Sequence, residues 1–97
     1  MTSDAPLPKP VVFTRHARER MRERGAREED ALAALRLGQR ELTRRGLVQY
    51  RLNIEFKRDW AGRYYGVQQI VPVVDEEAGR IVVVTVYTFY FQEGESP

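Results

Sequence analysis

From Val48 to Phe56 apolar and polar residues alternate without a break: Val48, Tyr50, Leu52, Ile54 and Phe56 on one side, Gln49, Arg51, Asn53 and Glu55 on the other. Only an extended chain puts every second side chain on one face, so this stretch is a strand with one buried and one wet side. Residues 58–62 hold the turn. Arg63 to Val74 reads as a second strand, bent or at an edge near Pro72, because proline has no N–H for a sheet ladder. Residues 75–79 form an acidic hairpin loop, and Arg80 to Phe91, apolar on both faces, reads as a third and central strand.

Upstream the period is helical. Thr14 offers an N-cap, Arg15 to Arg24 a helix, and Gly25 its stop; Phe13, Ala17 and Met21 fall four apart and point inward. A second helix runs from Glu28 to Leu37 and stops at Gly38, its acidic first turn (Glu28, Glu29, Asp30) placed at the positive end of the helix dipole. The short link between them implies a helical hairpin. The expected fold is therefore α+β: an N-terminal helical hairpin packed on a three- to four-stranded antiparallel sheet, with Val11–Phe13 as the optional fourth strand. A chain of 97 residues holds one domain, expected over residues 11–91, with a flexible proline-rich arm at 1–10 and a polar tail at 92–97.

Composition narrows the chemistry. Hydrophobic residues make up 42% and charged residues 31%, the balance of a globular protein. With no cysteine and one histidine, disulfides, thiolate metal sites, cysteine nucleophiles and histidine clusters are excluded, so no metal and no cofactor is expected. No apolar stretch approaches the roughly 20 residues that span a bilayer, and residues 1–10 lack the apolar core of a secretion signal. A cytoplasmic location without membrane contact is the expectation. No glycine-rich phosphate loop, nucleophile elbow or metal-ligand spacing is present.

The net charge of +2 conceals a division. Residues 1–63 carry 15 Lys and Arg against 9 Asp and Glu, whereas residues 64–97 carry one Arg against 5 acids. Positive potential concentrated on part of a small surface favours a polyanionic partner. His16, Arg20 and Arg24 lie one helical turn apart beside the inward stripe. An imidazole that exchanges protons near neutral pH, next to guanidiniums that hold phosphate, suits metal-independent RNA cleavage by attack of the 2′-hydroxyl. The competing reading has His16 packed at the helix start and bonded to the sheet backbone, with Arg20 in a structural ion pair. Arg44, Arg45, Arg51, Lys57 and Arg63, with Arg24, are the candidate RNA contacts, Arg51 lying between Gln49 and Asn53 on the wet face. The tyrosines offer stacking surfaces of the kind that grip single-stranded RNA. Phe56, Phe89 and Phe91 are read as core, while the hydroxyl of Tyr87, mid-strand in an apolar run, needs a partner.

The run Phe13-Thr14-Arg15-His16-Ala17-Arg18-Glu19-Arg20-Met21, followed by Arg24-Gly25 and an acidic second helix, resembles an uncharacterised bacterial domain family with a His-Ala-x-x-Arg-Met signature, grouped with the RelE/ParE-like toxin superfamily. The closing Ile81–Tyr87 run is similar to that family's last strand, and the likeness covers residues 11–91. The resemblance implies a RelE-like helical hairpin on a twisted antiparallel sheet and a toxin-type endoribonuclease or ribosome-associated RNA-binding protein, partnered by an antitoxin that covers the basic face. It places His16 and Arg20 on the signature, Arg24 on its following arginine and Tyr87 on the last-strand tyrosine. His16, Arg20 and Tyr87 are thus the catalytic expectation. Arg27 departs from the pattern by standing where a Ser or Thr usually caps the second helix.

Two functions follow as expectations: this RNA-directed activity, or a non-catalytic module of the same fold that binds a protein partner or forms a homodimer. A DNA-binding regulator is weaker, because glutamates dilute the basic first helix and no helix-turn-helix pattern follows it.

Overall fold

The structure, a computed structural model, describes residues 7–94. The chain forms β1 (Val11–Phe13), α1 (Arg15–Arg24), α2 (Glu28–Leu37), β2 (Gln39–Leu42), β3 (Val48–Trp60), β4 (Arg63–Glu76) and β5 (Ile81–Phe91). Both helices span the expected residues, α1 between a Thr14 cap and Gly25, and α2 from Arg27, which makes no side-chain capping bond, with the acidic turn Glu28–Asp30 at its start. Thr14 is extended (φ −69°, ψ 161°) and its hydroxyl accepts from the Ala17 N–H at 3.0 Å, while Gly25 closes α1 in the left-handed region at φ 72°. Gly38 ends α2 for a different reason. Its φ is −75°, but a Cβ there would stand 2.6 Å from the Ala34 carbonyl oxygen and 2.9 Å from that of Arg51, so the helix turns against β3 only through a residue without a side chain.

The sheet corrects the expected architecture. Five strands, not three or four, lie in the order β1-β5-β4-β3-β2, and β1 runs parallel to β5, so the sheet is mixed. Among the described residues a strand precedes the helices, which are not an N-terminal hairpin on an antiparallel sheet; the class remains α+β. Each helix packs chiefly on strands, α1 on β5 and α2 on β4 and β3, with the Arg18–Glu28 ion pair between them (2.5 Å). Alanines at the contact (Ala17, Ala31, Ala34, all fully buried) let both helices approach the sheet closely, around Phe13, Met21, Ile70, Val74, Val83 and Val86.

Strand positions also differ from expectation. β4, not β5, is central, and residues 68–74 are buried throughout. Pro72 lies within that strand, opposite Val86. The β3–β4 ladder is interrupted beside it, between Gln49↔Val73 and Leu52↔Ile70, so the missing N–H falls where no pairing occurs. A bulge between Val73 and Val74 on the β5 side takes up the remaining misfit. The β3–β4 turn is tighter than expected: Trp60 pairs with Arg63, and Ala61 (φ 55°) and Gly62 (φ 84°) form the two-residue connection that matches the twist of a hairpin. Of the expected flexible arm, residues 1–6 lie outside the described residues. Leu7 packs against the core, Lys9 Nζ donates to the Glu77 carbonyl at 2.7 Å, and the Pro10 carbonyl accepts from the Ile81 N–H at 2.9 Å. Of the expected tail, residues 95–97 are likewise outside the description.

Candidate functional site

The helices cover one face of the sheet and leave the other open. Strand alternation places Gln49, Arg51 and Asn53 of β3, Val67, Gln69, Val71 and Val73 of β4, and Thr85, Tyr87, Phe89 and Phe91 of β5 on the open side, in the registers Val73↔Thr85, Val71↔Tyr87, Gln69↔Phe89 and Val67↔Phe91. At one end of this face is a hollow of about 520 Å³. The start of α1 contributes His16, the β2–β3 loop contributes Thr43, Arg44, Arg45 and Leu47, and Val73, Thr85 and Tyr87 come from the sheet. No carboxylate lines it among the described residues.

The loop is held by its own bonds. The Thr43 N–H donates to the Leu47 carbonyl at 2.9 Å, the Thr43 hydroxyl to the same oxygen at 3.0 Å, and Gly46 turns the chain at φ 77°. Arg44 and Arg45 are exposed at the tip, and no ion pair engages either among the described residues. His16 is exposed, near the start of α1, and no acid lines the hollow beside it among the described residues. The backbone role once assignable to it is taken by neighbours: Thr14 Oγ1 donates to the Val84 carbonyl (3.4 Å) and Arg24 Nη1 to that of Val86 (2.8 Å). Arg24 also lies over the Tyr87 ring at 4.8 Å, which fixes this half-exposed tyrosine at the rim of the hollow.

The structure thus sorts the expected site residues. His16, Tyr87, Arg44 and Arg45 meet in the hollow, with Arg24 stacked behind Tyr87. Arg20 does not line it and instead pairs with Glu23 on the same helix. Arg51 is committed to structure: Nη2 and Nε reach the two Glu41 oxygens at 3.1 and 3.3 Å, and Nη1 donates to Gln69 Oε1 at 2.7 Å. The Arg51 hydrogen bonds, with a second from Gln49, hold the Glu41 carboxyl below its ordinary range. Lys57 lies at the other end of the face, paired with Glu55 (3.3 Å) and Glu93 (3.9 Å), and these acids raise its ammonium above the usual lysine range. Arg63 sits at the β3–β4 turn over the Tyr65 ring at 5.8 Å. Phe56 is core as expected, but Phe89 is 45% exposed and Phe91 half-buried on the open face, because β5 has helices on one side only.

Sequence reasoning missed Thr43 and Thr85 as lining residues, whereas Gln49, read on the wet face of the strand, does line the hollow. The available signal was the Arg44-Arg45-Gly46 turn, which marks a cationic loop tip beside the first long strand. Among the described residues no three His, Cys, Asp or Glu side chains are gathered to hold a metal ion, and no helix is long and apolar enough to cross a membrane.

The fold and hollow together define an α+β domain with an open, partly aromatic sheet face and a cationic recess at one end. Comparison with known proteins returns no family model, curated protein or solved structure that matches the chain. Function is read from the side chains.

Proposed function

We propose that the chain is a metal-independent endoribonuclease of the toxin type that acts at the hollow. The observation that carries this reading is the gathering of His16, Tyr87, Arg44 and Arg45 around one recess with no lining carboxylate among the described residues. A phosphodiester seated there meets two guanidiniums for its non-bridging oxygens and two groups able to exchange protons. His16 takes the proton of the 2′-hydroxyl as the O2′–P bond forms; the P–O5′ bond breaks, and the Tyr87 hydroxyl supplies a proton to O5′. The products are a 2′,3′-cyclic phosphate and a free 5′-hydroxyl, and solvent returns the proton from His16 to Tyr87. Arg44 and Arg45 offset the charge that grows on the pentacoordinate phosphorus.

The test is incubation of the pure protein with RNA in excess chelator, with the ends identified by mass spectrometry. Cyclic phosphate termini are expected, with His16→Ala slowing cleavage by about 10²- to 10⁴-fold and an all-deoxy strand left intact. Uncut RNA, or equal cutting by the His16 variant, overturns the reading.

A second reading, a non-catalytic module that takes a protein partner, is favoured by one feature of the sheet. β2 covers only Val48–Arg51 of β3, so Leu52–Trp60, paired with β4 on one side, has no strand on its outer side among the described residues. A stable complex with one co-purifying protein, together with inert RNA, selects it.

A further inference from the structure

The hollow opens onto a row of aromatic rings. Tyr87, Phe89 and Phe91 stand at alternate positions of β5 on the open face, Tyr87 at the hollow's rim and the other two leading away from it. Phe89 is 45% exposed, and the α1 side chains named on this side of the sheet, His16 and Arg24, are at the hollow and against Tyr87. Beside it, one strand over, is Gln69, whose amide nitrogen donates to Asn53 Oδ1 at 2.9 Å. Asn53 is exposed, and its own amide N–H groups have no partner among the described residues. The face therefore offers, in sequence, cations, a tyrosine, an uncovered phenyl ring and free amide donors.

We propose that this face holds single-stranded RNA, with the nucleotide next to the scissile phosphate stacked on Phe89 and its base edge bonded by Asn53. The inference rests on the ribonuclease reading for the position of the scissile phosphate. Charge and spacing both select the occupant. The cationic hollow matches a phosphate chain, and a phosphate held there leaves the adjoining base over the aromatic row. Alternate residues of a strand lie about 6.8 Å apart, twice the rise of about 3.4 Å. Stacked bases of a duplex lie about 3.4 Å apart along each strand. Rings at twice that spacing fit bases drawn apart from one another, as only an unpaired strand allows. In an RNA duplex the Watson–Crick edges are engaged in pairing and the bases are stacked on their neighbours, so neither a free Watson–Crick edge for Asn53 nor an open base face for Phe89 is offered.

The experiment is fluorescence anisotropy with a labelled 12-nucleotide RNA in which every 2′-hydroxyl is methylated, so that binding is read without cleavage. The single strand is expected to bind at least tenfold tighter than the same sequence as a duplex. Phe89→Ala is expected to weaken single-strand binding by about tenfold, while Phe89→Trp retains binding and loses indole fluorescence on titration, beyond any change that Trp60 shows in the unaltered protein. Equal affinity for duplex, or unchanged binding by Phe89→Ala, overturns the inference, as does a Phe89→Ala change that breaks a homodimer and leaves RNA affinity intact. Thermal unfolding of the exposed-site variant establishes that it folds. Tight, Phe89-dependent binding without cleavage of ordinary RNA sinks the ribonuclease reading alone; cleavage with no dependence on Phe89 sinks this inference alone.

Discussion

The Arg24 guanidinium lies 4.8 Å from the centre of the Tyr87 ring while donating to the carbonyl of Val86, the residue before it, at 2.8 Å. One side chain thus closes an open backbone acceptor on the edge of β5 and sets the rim of the hollow. Arg24→Ala removes a charged hydrogen bond and a cation–π contact together, and is expected to lower stability by about 2 kcal/mol. Urea unfolding measures this. Arg24→Lys retains the charge without the planar fork and is expected to recover less than half of the loss. If alanine leaves the unfolding midpoint unchanged, the helix is not tied to the strand through this residue.

Gly25 is the tightest point of the helix connection. Its φ is 72°, and a Cβ there would approach the Tyr90 hydroxyl at 2.7 Å and the Trp60 ring at 2.8 Å, within an aromatic group where Trp60 stacks on Tyr90 at 5.7 Å. Gly25→Ala is expected to cost about 3 kcal/mol, from the left-handed backbone and from overpacking. Gly46 has a similar φ of 77° but nothing within 4 Å, so Gly46→Ala is expected to cost only about 1 kcal/mol. Equal losses at the two sites, by urea or thermal unfolding, contradict the crowding at Gly25.

What was legible in the chain is what local physics decides. Thr14, Gly25 and the acidic turn at Glu28–Asp30 mark both helices because a cap answers to residues within one turn. The alternation from Val48 to Phe56 exposed β3 for the same reason. The centre of the sheet stayed hidden because its credentials are non-local. β4 carries Gln68, Gln69 and Pro72, which look like an edge, yet Gln68 is buried by donating to the Gly25 carbonyl (3.1 Å) and the Tyr90 hydroxyl (3.0 Å), partners far along the chain. The parallel β1–β5 pairing was invisible for the same reason: the Thr14 N–H meets the Val83 carbonyl, and nothing near Thr14 announces it. The site divides likewise. Arg51 and Arg44 look alike as residues, and only strand register, which sets Gln39 opposite Arg51 and Glu41 opposite Gln49, decides that Glu41 takes the first and leaves the second free.

That division separates the arginines by experiment. Replacing Arg44 and Arg45 together by Ala removes two exposed cations with no described ion-pair partner, so stability is expected to stay within about 0.5 kcal/mol. The dependence of single-strand binding on log salt is expected to flatten by about 1.4, two phosphate contacts at about 0.7 each. Arg51→Ala is expected to act in the opposite sense. It strips the Glu41 carboxylate and the buried Gln69 of their shared partner, costs about 1–3 kcal/mol, and leaves the salt slope unchanged. If Arg51→Ala flattens the slope and the double variant does not, the hollow is not where phosphate binds.

Glu76 ties three strands together and makes stability depend on acid. Its carboxylate accepts from Arg40 Nη2 at 2.7 Å and from the Tyr50 hydroxyl at 2.5 Å, and these bonds, Arg40 first, hold its pKa below the ordinary 4.5. Above pH 4.5 the group is ionised folded and unfolded alike, and the stabilisation is complete. Below it the unfolded chain takes up the proton first, so stability falls with pH until the folded carboxyl is protonated too. Tyr50 gives the alkaline counterpart: burial, then the adjacent Glu76 carboxylate, raises its phenol above 10.0, so above that pH the unfolded chain ionises first and stability falls as pH rises. Thermal midpoints from pH 3 to 11 are expected to decline at both ends. Glu76→Gln is expected to shallow the acid limb, with the remaining acid sensitivity including that of Glu41, and Tyr50→Phe the alkaline one. If Glu76→Gln leaves the acid limb as steep as before, the Arg40–Glu76–Tyr50 cluster does not hold β2, β3 and β4 in register.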